Sequence, residues 1–357
     1  MPHLLEVKDL TTVFNGDYGI NVSVDHISFY VDQGEVVCIV GESGCGKSVT
    51  ALSIMGLLGR GGTVMDGSVL FDGRNLLTMT EKELDQIRGD ELTMIFQDPL
   101  TSLNPVFSVG SQITETIRTH MHLSRDEAGK RALELLVQVG MPDAEKVMKK
   151  YPHTLSGGMR QRVMIAMAIA CNPRLLIADE PTTALDVTIQ AQIMKLLREL
   201  QQQKNMSMIL ITHDIGLVAN TADRVLVMYA GQIIEEAAVE ELFANPKHPY
   251  TQALLNTVPT IRDDKNRKLQ AIPGIVPESY DDIAGCRFAD RCPYRQEVCR
   301  QPQDAYSFGE GHRARCIVAK QEQQSGNGGK VCCLKKRDLR KQNPPRQKRQ
   351  YKFRNPQ

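Results

Sequence analysis

Three things are scarce in this 357-residue chain: net charge, long apolar runs and, through most of its length, cysteine. With 43 Lys and Arg against 42 Asp and Glu, the formal charge of +1 offers no general attraction for nucleic acid. The longest apolar run, Val163 to Cys171, is about half of the roughly 20 residues that a membrane-crossing helix needs, and charged Arg162 precedes it. The chain is therefore not expected to span a bilayer by itself. Its opening residues, Met-Pro-His-Leu-Leu-Glu-Val-Lys-Asp, scatter charges among apolar positions and lack the uninterrupted core of a secretory signal, so export is not expected. Before residue 285 the cysteines are Cys38, Cys45 and Cys171, too scattered for a disulfide scaffold and suited to a reducing cytoplasm.

The near-zero total hides an asymmetry. From Lys330 to Gln357 there are eleven Lys or Arg against one acid, Asp338, so the tail carries +10 and residues 1 to 329 carry −9. That tail, with the Gln/Gly/Ser-rich stretch before it, has too little apolar content to fold, and disorder is expected over 321–357. A solvated extension is the plain reading, with anionic headgroups or nucleic acid as alternative contacts.

The rest reads as an α/β protein. Val36 to Val40 is a short apolar run between Gly34 and Gly41, the pattern of a buried strand entering a tight turn, with a helix expected from about Lys47. Residues 80 to 150 change character: charges and Leu/Ile/Met recur at helical spacing, which predicts a mostly helical insertion, with a helical subdomain at about 98–164. Leu175 to Ala178 and Met208 to Ile211 are again buried-strand runs, so a parallel sheet is the economical core. After residue 245, prolines at 246, 249, 259, 273 and 277 break regularity and predict a separate small appendage over 245–320, beyond a main domain at 1–244.

Gly41-Glu42-Ser43-Gly44-Cys45-Gly46-Lys47-Ser48 lies between the predicted strand and helix, as a phosphate-binding loop must. Its glycines let successive backbone N–H groups face phosphate oxygens, Lys47 is suited to the β/γ-phosphates and Ser48 to Mg²⁺. Downstream, the apolar run Leu175 to Ala178 ends in Asp179 and Glu180, one acid placed for the Mg²⁺ shell and the other for polarising the attacking water. Then Leu155-Ser156-Gly157-Gly158-Met159 resembles the signature motif of the ABC ATPases, whose usual form ends in Gln.

That resemblance covers residues 1 to 240 and implies a P-loop NTPase core with an N-terminal antiparallel β subdomain and a helical subdomain. It implies that Ser156, Gly157 and Gly158 bind the γ-phosphate of a nucleotide held by a second cassette. Gln97 is similar to the Q-loop glutamine that senses Mg²⁺ and water, Asp186 to the D-loop aspartate and His213 to the switch histidine. Nucleotide contacts are implied for Gly41, Ser43, Gly44, Cys45, Gly46, Lys47, Ser48 and Val49. Phe14, closing a predicted strand from Glu6, is favoured over Tyr18 as the adenine-stacking aromatic.

Cys286, Cys292, Cys299 and Cys316 are separated by five, six and sixteen residues, unlike the paired short spacers of structural zinc sites. Zinc and free or disulfide-bonded thiols stay open as alternatives. The segment His248-Pro249-Tyr250-Thr251-Gln252-Ala253-Leu254-Leu255 followed by these cysteines resembles the C-terminal extension of dipeptide, oligopeptide and nickel importer ATPases, which implies a four-iron, four-sulfur cluster there. Cys332 and Cys333 receive no role.

The resemblance further implies ATP and Mg²⁺ as ligands and ATP hydrolysis coupled to solute uptake at the cytoplasmic face of a bacterial membrane. The partners it implies are a related ATPase in a heterodimer, two permease chains and an extracytoplasmic binding protein, with no nucleic acid. Peptides are the expected cargo, with nickel, glutathione or another small solute as alternatives. A soluble ABC ATPase acting on ribosomes or DNA is a different class, which ordinarily carries two cassettes or a long coiled coil.

Overall fold

A computed structural model describes residues 2–16, 19–257, 272, 274–277 and 283–324. Twelve strands form two sheets among these residues. β1 (Leu5–Gly16), β2 (Gly19–Val31), β4 (Gly62–Phe71) and β5 (Arg74–Asn75) make an antiparallel sheet in the order β2-β1-β4-β5. The second sheet has eight strands and starts from β3 (Val36–Val40). Its other parallel members are β6 (Leu92–Ile95), β7 (Leu175–Asp179), β8 (Ser207–Thr212) and β9 (Arg224–Tyr229). β10 (Gln232–Ala238), β11 (Tyr306–Gly309) and β12 (His312–Ala314) add antiparallel pairings at one edge.

The run Val-Val-Cys-Ile-Val is buried at every position because the parallel sheet is covered on both faces. Strand alternation splits it between two cores. Val36, Cys38 and Val40 face a cluster shared with the helices, whereas Val37 and Ile39 face Leu5, Phe29 and Phe71 of the antiparallel sheet. Between β3 and β4 runs α1 (Lys47–Met55), and α2 (Glu81–Ile87) follows β5.

The helical layer comprises α3 (Pro99–Ser102), α4 (Val109–Met121), α5 (Arg125–Gln138), α6 (Ala144–Met148) and α7 (Gly157–Ala168). Ser108 caps α4 and Ser124 forms a capping box with Glu127, so these starts are written locally. Val109, Ile113 and Ile117 recur at every fourth position and are fully buried against Ala128, Ala132 and Leu135.

The stretch from 80 to 150 is mostly helical, as expected, and its one strand, Leu92–Ile95, enters the main sheet as β6 beside β7, a pairing partner some eighty residues away. The region after 245 packs against the main core and also carries a small cluster of its own around Cys299, Cys316 and Val318. α8 (Val187–Lys204), α9 (Ile215–Thr221) and α10 (Val239–Ala244) lead into α11 (Pro249–Asn256), whose Tyr250, Leu254 and Leu255 join the main core with Phe288. β12 then pairs with β10, setting Ala314 opposite Glu235 and Arg313 opposite Glu236. The last described element, α12 (Ile317–Gln324), runs past the expected start of the tail. The basic run and both Cys332 and Cys333 lie outside the described residues.

Candidate functional site

The loop between β3 and α1 is built by backbone shape. Gly46 has φ 102°, a left-handed conformation costly for other residues, and a Cβ there would sit 2.5 Å from the Ser23 carbonyl oxygen. At Gly41 a Cβ would lie 2.2 Å from the Met228 carbonyl oxygen, so only glycine lets the chain pass. Lys47 is 5% exposed, and its Nζ donates to the carbonyls of Gly41 and Glu42, each at 2.9 Å. This coil holds a cation beside the first-turn N–H groups of α1, where the helix dipole also favours an anion. Ser48 Oγ donates to Asp179 Oδ1 at 3.0 Å, joining the loop to the end of β7.

Three strands, β6, β7 and β8, deliver the opposing groups. Asp179 ends β7 and is buried; that burial, with the neighbouring Glu180 charge, lifts its carboxyl pKa, and the Ser48 and Lys47 contacts offset this only in part. Glu180 follows with φ 45°, its N–H donating to the Ile211 carbonyl of β8 at 2.9 Å. Its Oε2 accepts from Gln97 Nε2 at 3.0 Å and from Thr183 Oγ1 at 2.8 Å, while Oε1 lies 3.2 Å from His213 Nδ1. Burial opposes ionisation of Glu180, but the Thr183 and His213 contacts outweigh it, and the net pKa falls below the ordinary value. Gln97 stands just beyond β6 and His213 just beyond β8, so the parallel ends of neighbouring strands bring all four groups together. The arrangement supplies a fixed cation, a hydroxyl and carboxylate pair fit for a divalent ion, and an ionised carboxylate within reach of a water.

Ser156 caps α7 by accepting from Met159 N–H at 3.3 Å, and Ser156 and Gly157 are exposed. The glycines beside it are needed for close packing: a Cβ on Gly158 would meet Ile189 Cγ2 at 2.8 Å. Asp186 caps α8, accepting from Ile189 N–H at 3.0 Å, so the turn at 156–158 and the start of α8 form one surface.

The comparisons with known proteins decide the family. The family model described as ABC transporter matches residues 24–183, and that described as Oligopeptide/dipeptide transporter, C-terminal region, matches 234–299. The probable peptide ABC transporter ATP-binding protein y4tR of Sinorhizobium fredii is 51% identical over 315 residues, 88% of this chain and 94% of that protein. This chain is an ABC transporter ATP-binding subunit. The oligopeptide transport ATP-binding protein AppD of Bacillus subtilis is 51% identical over 324 residues, covering 90% of this chain and 98% of its own. The dipeptide transport ATP-binding protein DppD of Escherichia coli is 52% identical over 314 residues, 88% and 96% of the two chains. Among solved structures, a dimeric post-hydrolysis state of the ATP-binding cassette MJ0796 bound to ADP and Pi matches with TM-score 0.60 and 29% identity, covering 66% of this chain and 98% of that one.

In this ABC subunit Phe14 is half-buried on β1, opposite Asn21 of β2 and Gly62 of β4, where a Cβ on Gly62 would meet its ring at 2.8 Å. Tyr18 lies outside the described residues. Cys45 is fully buried beside Lys47, and Val49 is half-buried against the antiparallel side of the core. Cys286, Cys292, Cys299 and Cys316 line one small cavity. Burial pushes the Cys286 thiol up to about 11 and that of Cys316 to about 12, and raises Cys292 as well.

Sequence reasoning missed the residues that fasten the C-terminal region to the phosphate loop. Arg291 makes a forked pair with Glu42 at 2.7 and 3.0 Å and reaches the Tyr229 hydroxyl at 3.2 Å. Tyr250 Oη accepts from Glu42 N–H at 2.9 Å. Arg287 holds Asp25 Oδ2 at 2.6 Å and bonds the Ala230 carbonyl. The one available signal was the pair of arginines flanking the cysteines, and nothing local says what they meet. No helix of the described residues is long and apolar enough to cross a membrane.

Proposed function

We propose that this subunit binds and hydrolyses MgATP as one half of the motor of a bacterial importer for dipeptides or oligopeptides. The observation that carries the motor reading is an incomplete site. Lys47, Ser48, Asp179, Glu180, Gln97 and His213 converge, while the exposed Ser156-Gly157-Gly158 turn at the N-terminus of a twelve-residue helix offers anion-binding N–H groups to another chain. Lys47 moves from its carbonyl acceptors to the β/γ-phosphates, and Phe14 stacks on the adenine. Gly41, Ser43, Gly44, Cys45 and Gly46 present the loop N–H groups, and Val49 seats α1 beneath them. Ser48 and Asp179, with Gln97 beside them, would hold Mg²⁺, which screens the charge of the phosphoryl group. Glu180 takes the proton of the attacking water, oriented by Gln97 and Thr183, and His213 donates to the γ-phosphate. Asp186 sets the start of α8 against the facing cassette.

Two such cassettes close around two nucleotides, closure drives the permease, and hydrolysis reopens the pair. The partners are a related ATPase in a heterodimer, two permease chains and an extracytoplasmic binding protein, with the subunit on the cytoplasmic face. Peptide as cargo rests on the relatives named for peptides and on the match to the oligopeptide/dipeptide C-terminal region. Mixing the full chain with its partner ATPase and MgATP tests the motor: a nucleotide sandwiched between Lys47 of one chain and the Ser-Gly-Gly turn of the other is expected, and nucleotide bound only within isolated chains overturns it. The ligand of the accompanying binding protein tests the cargo.

The four cysteines would hold a four-iron, four-sulfur cluster, whose chemistry here is a structural clamp on an irregular segment. The residues fit it. Burial by itself holds these thiols protonated, while backbone N–H groups donating to the sulfurs of Cys286, Cys292 and Cys316 act in the opposite sense and are ready to support thiolates once a metal charge is present. Among the described residues no three cysteine sulfurs lie within 4.8 Å of one another, wider than the roughly 3.8 Å spacing that a tetrahedral zinc site with 2.3 Å bonds imposes. Iron and acid-labile sulfide in anaerobically purified protein are expected; zinc, or neither iron nor sulfide, refutes the assignment.

A further inference from the structure

A cleft of about 440 Å³ opens over the phosphate loop. Ser43 and Gly44 form its floor, and Asn21 and Ser23 of β2 form one wall. The facing wall comes from the C-terminal region: Ile275, Val276 and Pro277.

The two ends of this cleft differ in chemistry. The phosphate loop offers backbone N–H groups and a lysine, which suit phosphoryl oxygens. Ile275, Val276 and Pro277 have hydrocarbon side chains, which reward apolar or π surface. Ile275 is 88% exposed, a large apolar side chain that the chain itself leaves uncovered.

The wall is fixed to the loop below it. Arg291 holds the Glu42 carboxylate with both terminal nitrogens and reaches the Ile272 carbonyl at 3.5 Å, while Gly274 packs so close that a Cβ would lie 3.3 Å from Arg291 Cγ. The pairing raises the pKa of Arg291 further, so its charge persists at every physiological pH. One guanidinium therefore ties the segment bearing Ile275 to the residue that follows the first glycine of the phosphate loop.

We infer that Ile275, Val276 and Pro277 complete the nucleoside subsite of the cleft, packing against the ribose and base of a nucleotide whose phosphates rest on Ser43 and Gly44. This rests on the nucleotide-site reading above. The C-terminal region thereby takes part in holding the nucleotide.

The test compares three ligands on the full chain by calorimetry: MgATP, MgADP and magnesium tripolyphosphate, which has the phosphates without the nucleoside. The double substitution Ile275→Ser with Val276→Ser removes about 50 Å² of apolar contact from exposed and half-buried positions, so the fold is retained. It is expected to weaken MgATP and MgADP about tenfold and to leave tripolyphosphate unchanged. Unchanged nucleotide affinity overturns the inference, and so does an equal loss for all three ligands, which would place the effect on the phosphate loop. Wild-type protein that binds none of the three overturns the nucleotide-site reading and this wall with it, a result distinct from either.

Discussion

Replacing Glu180 by glutamine separates chemistry from architecture. In the native site Glu180 Oε2 accepts from Gln97 Nε2 at 3.0 Å and Thr183 Oγ1 at 2.8 Å, and Oε1 faces His213 Nδ1 at 3.2 Å. A glutamine of the same shape keeps its carbonyl oxygen toward Gln97 and Thr183 and turns its NH₂ toward His213 Nδ1, which accepts in the ring tautomer that carries its hydrogen on Nε2. No donor is orphaned, so folding stability should change by less than about 0.5 kcal/mol. What disappears is a negative charge and a proton acceptor. A positioned general base contributes about 10²- to 10⁴-fold, which is roughly 3 to 5.5 kcal/mol of barrier. The assay is phosphate release by the complex of this subunit with its partner ATPase and permeases, with MgATP affinity measured alongside. The expected result is a turnover at least 100-fold lower at unchanged MgATP affinity, with the closed pair of ATPases accumulating. A turnover within tenfold of wild type, or an affinity that falls in step with it, refutes the role of Glu180. Because its pKa is depressed, wild-type Glu180 is ionised throughout the neutral range, and its contribution is lost only as the pH drops below the ordinary carboxylate value.

Lys47→Ala removes the donor that now satisfies the Gly41 and Glu42 carbonyls, and with it two charge-assisted bonds to phosphate of about 1.5 to 3 kcal/mol each; calorimetry should show MgATP binding at least 100-fold weaker. Glu235→Ala strands the N–H groups of Lys247 and His248 and the ring of His312, all of which bond this fully buried carboxylate, and denaturant titration should show a loss of about 3 to 5 kcal/mol. Burial lowers the pKa of His248 from 6.5 to about 4, with Glu235 opposing, so the folded protein binds this proton less readily than the unfolded chain. Its stabilising effect is complete above pH 6.5, and about 3 kcal/mol is lost as the pH falls towards 4; His248→Asn, which keeps an acceptor for Tyr250 N–H, should flatten that part of a stability profile.

The phosphate loop was legible because everything it needs is consecutive: an apolar run, glycines at the positive-φ and close-contact positions, and a lysine opening a helix. Glu180, Gln97 and His213 were legible one at a time, as polar residues ending short apolar runs, and only the resemblance said that they converge. β6 was missed because its four residues carry no signal that outweighs the helical periodicity on either side, and the neighbour that makes them a strand is supplied by β7. The same holds for β11 and β12, short and half polar: β12 pairs with β10 across some eighty residues, and β11 joins the sheet only through β12. Arg291 was invisible for the strongest form of that reason: its partner Glu42 lies 249 positions away.

The pairing of β12 on β10 bears on any attempt to shorten the molecule. A chain cut after α10 would unveil an edge of β10 that carries Glu235 and Glu236, one side chain losing the backbone donors of 247 and 248 and both losing their partners in β12. Bare sheet margins recruit whatever strand is at hand. A minimal cassette made by such trimming should consequently stick to itself, and the smallest well-behaved form of this motor should retain the residues up to Gln324.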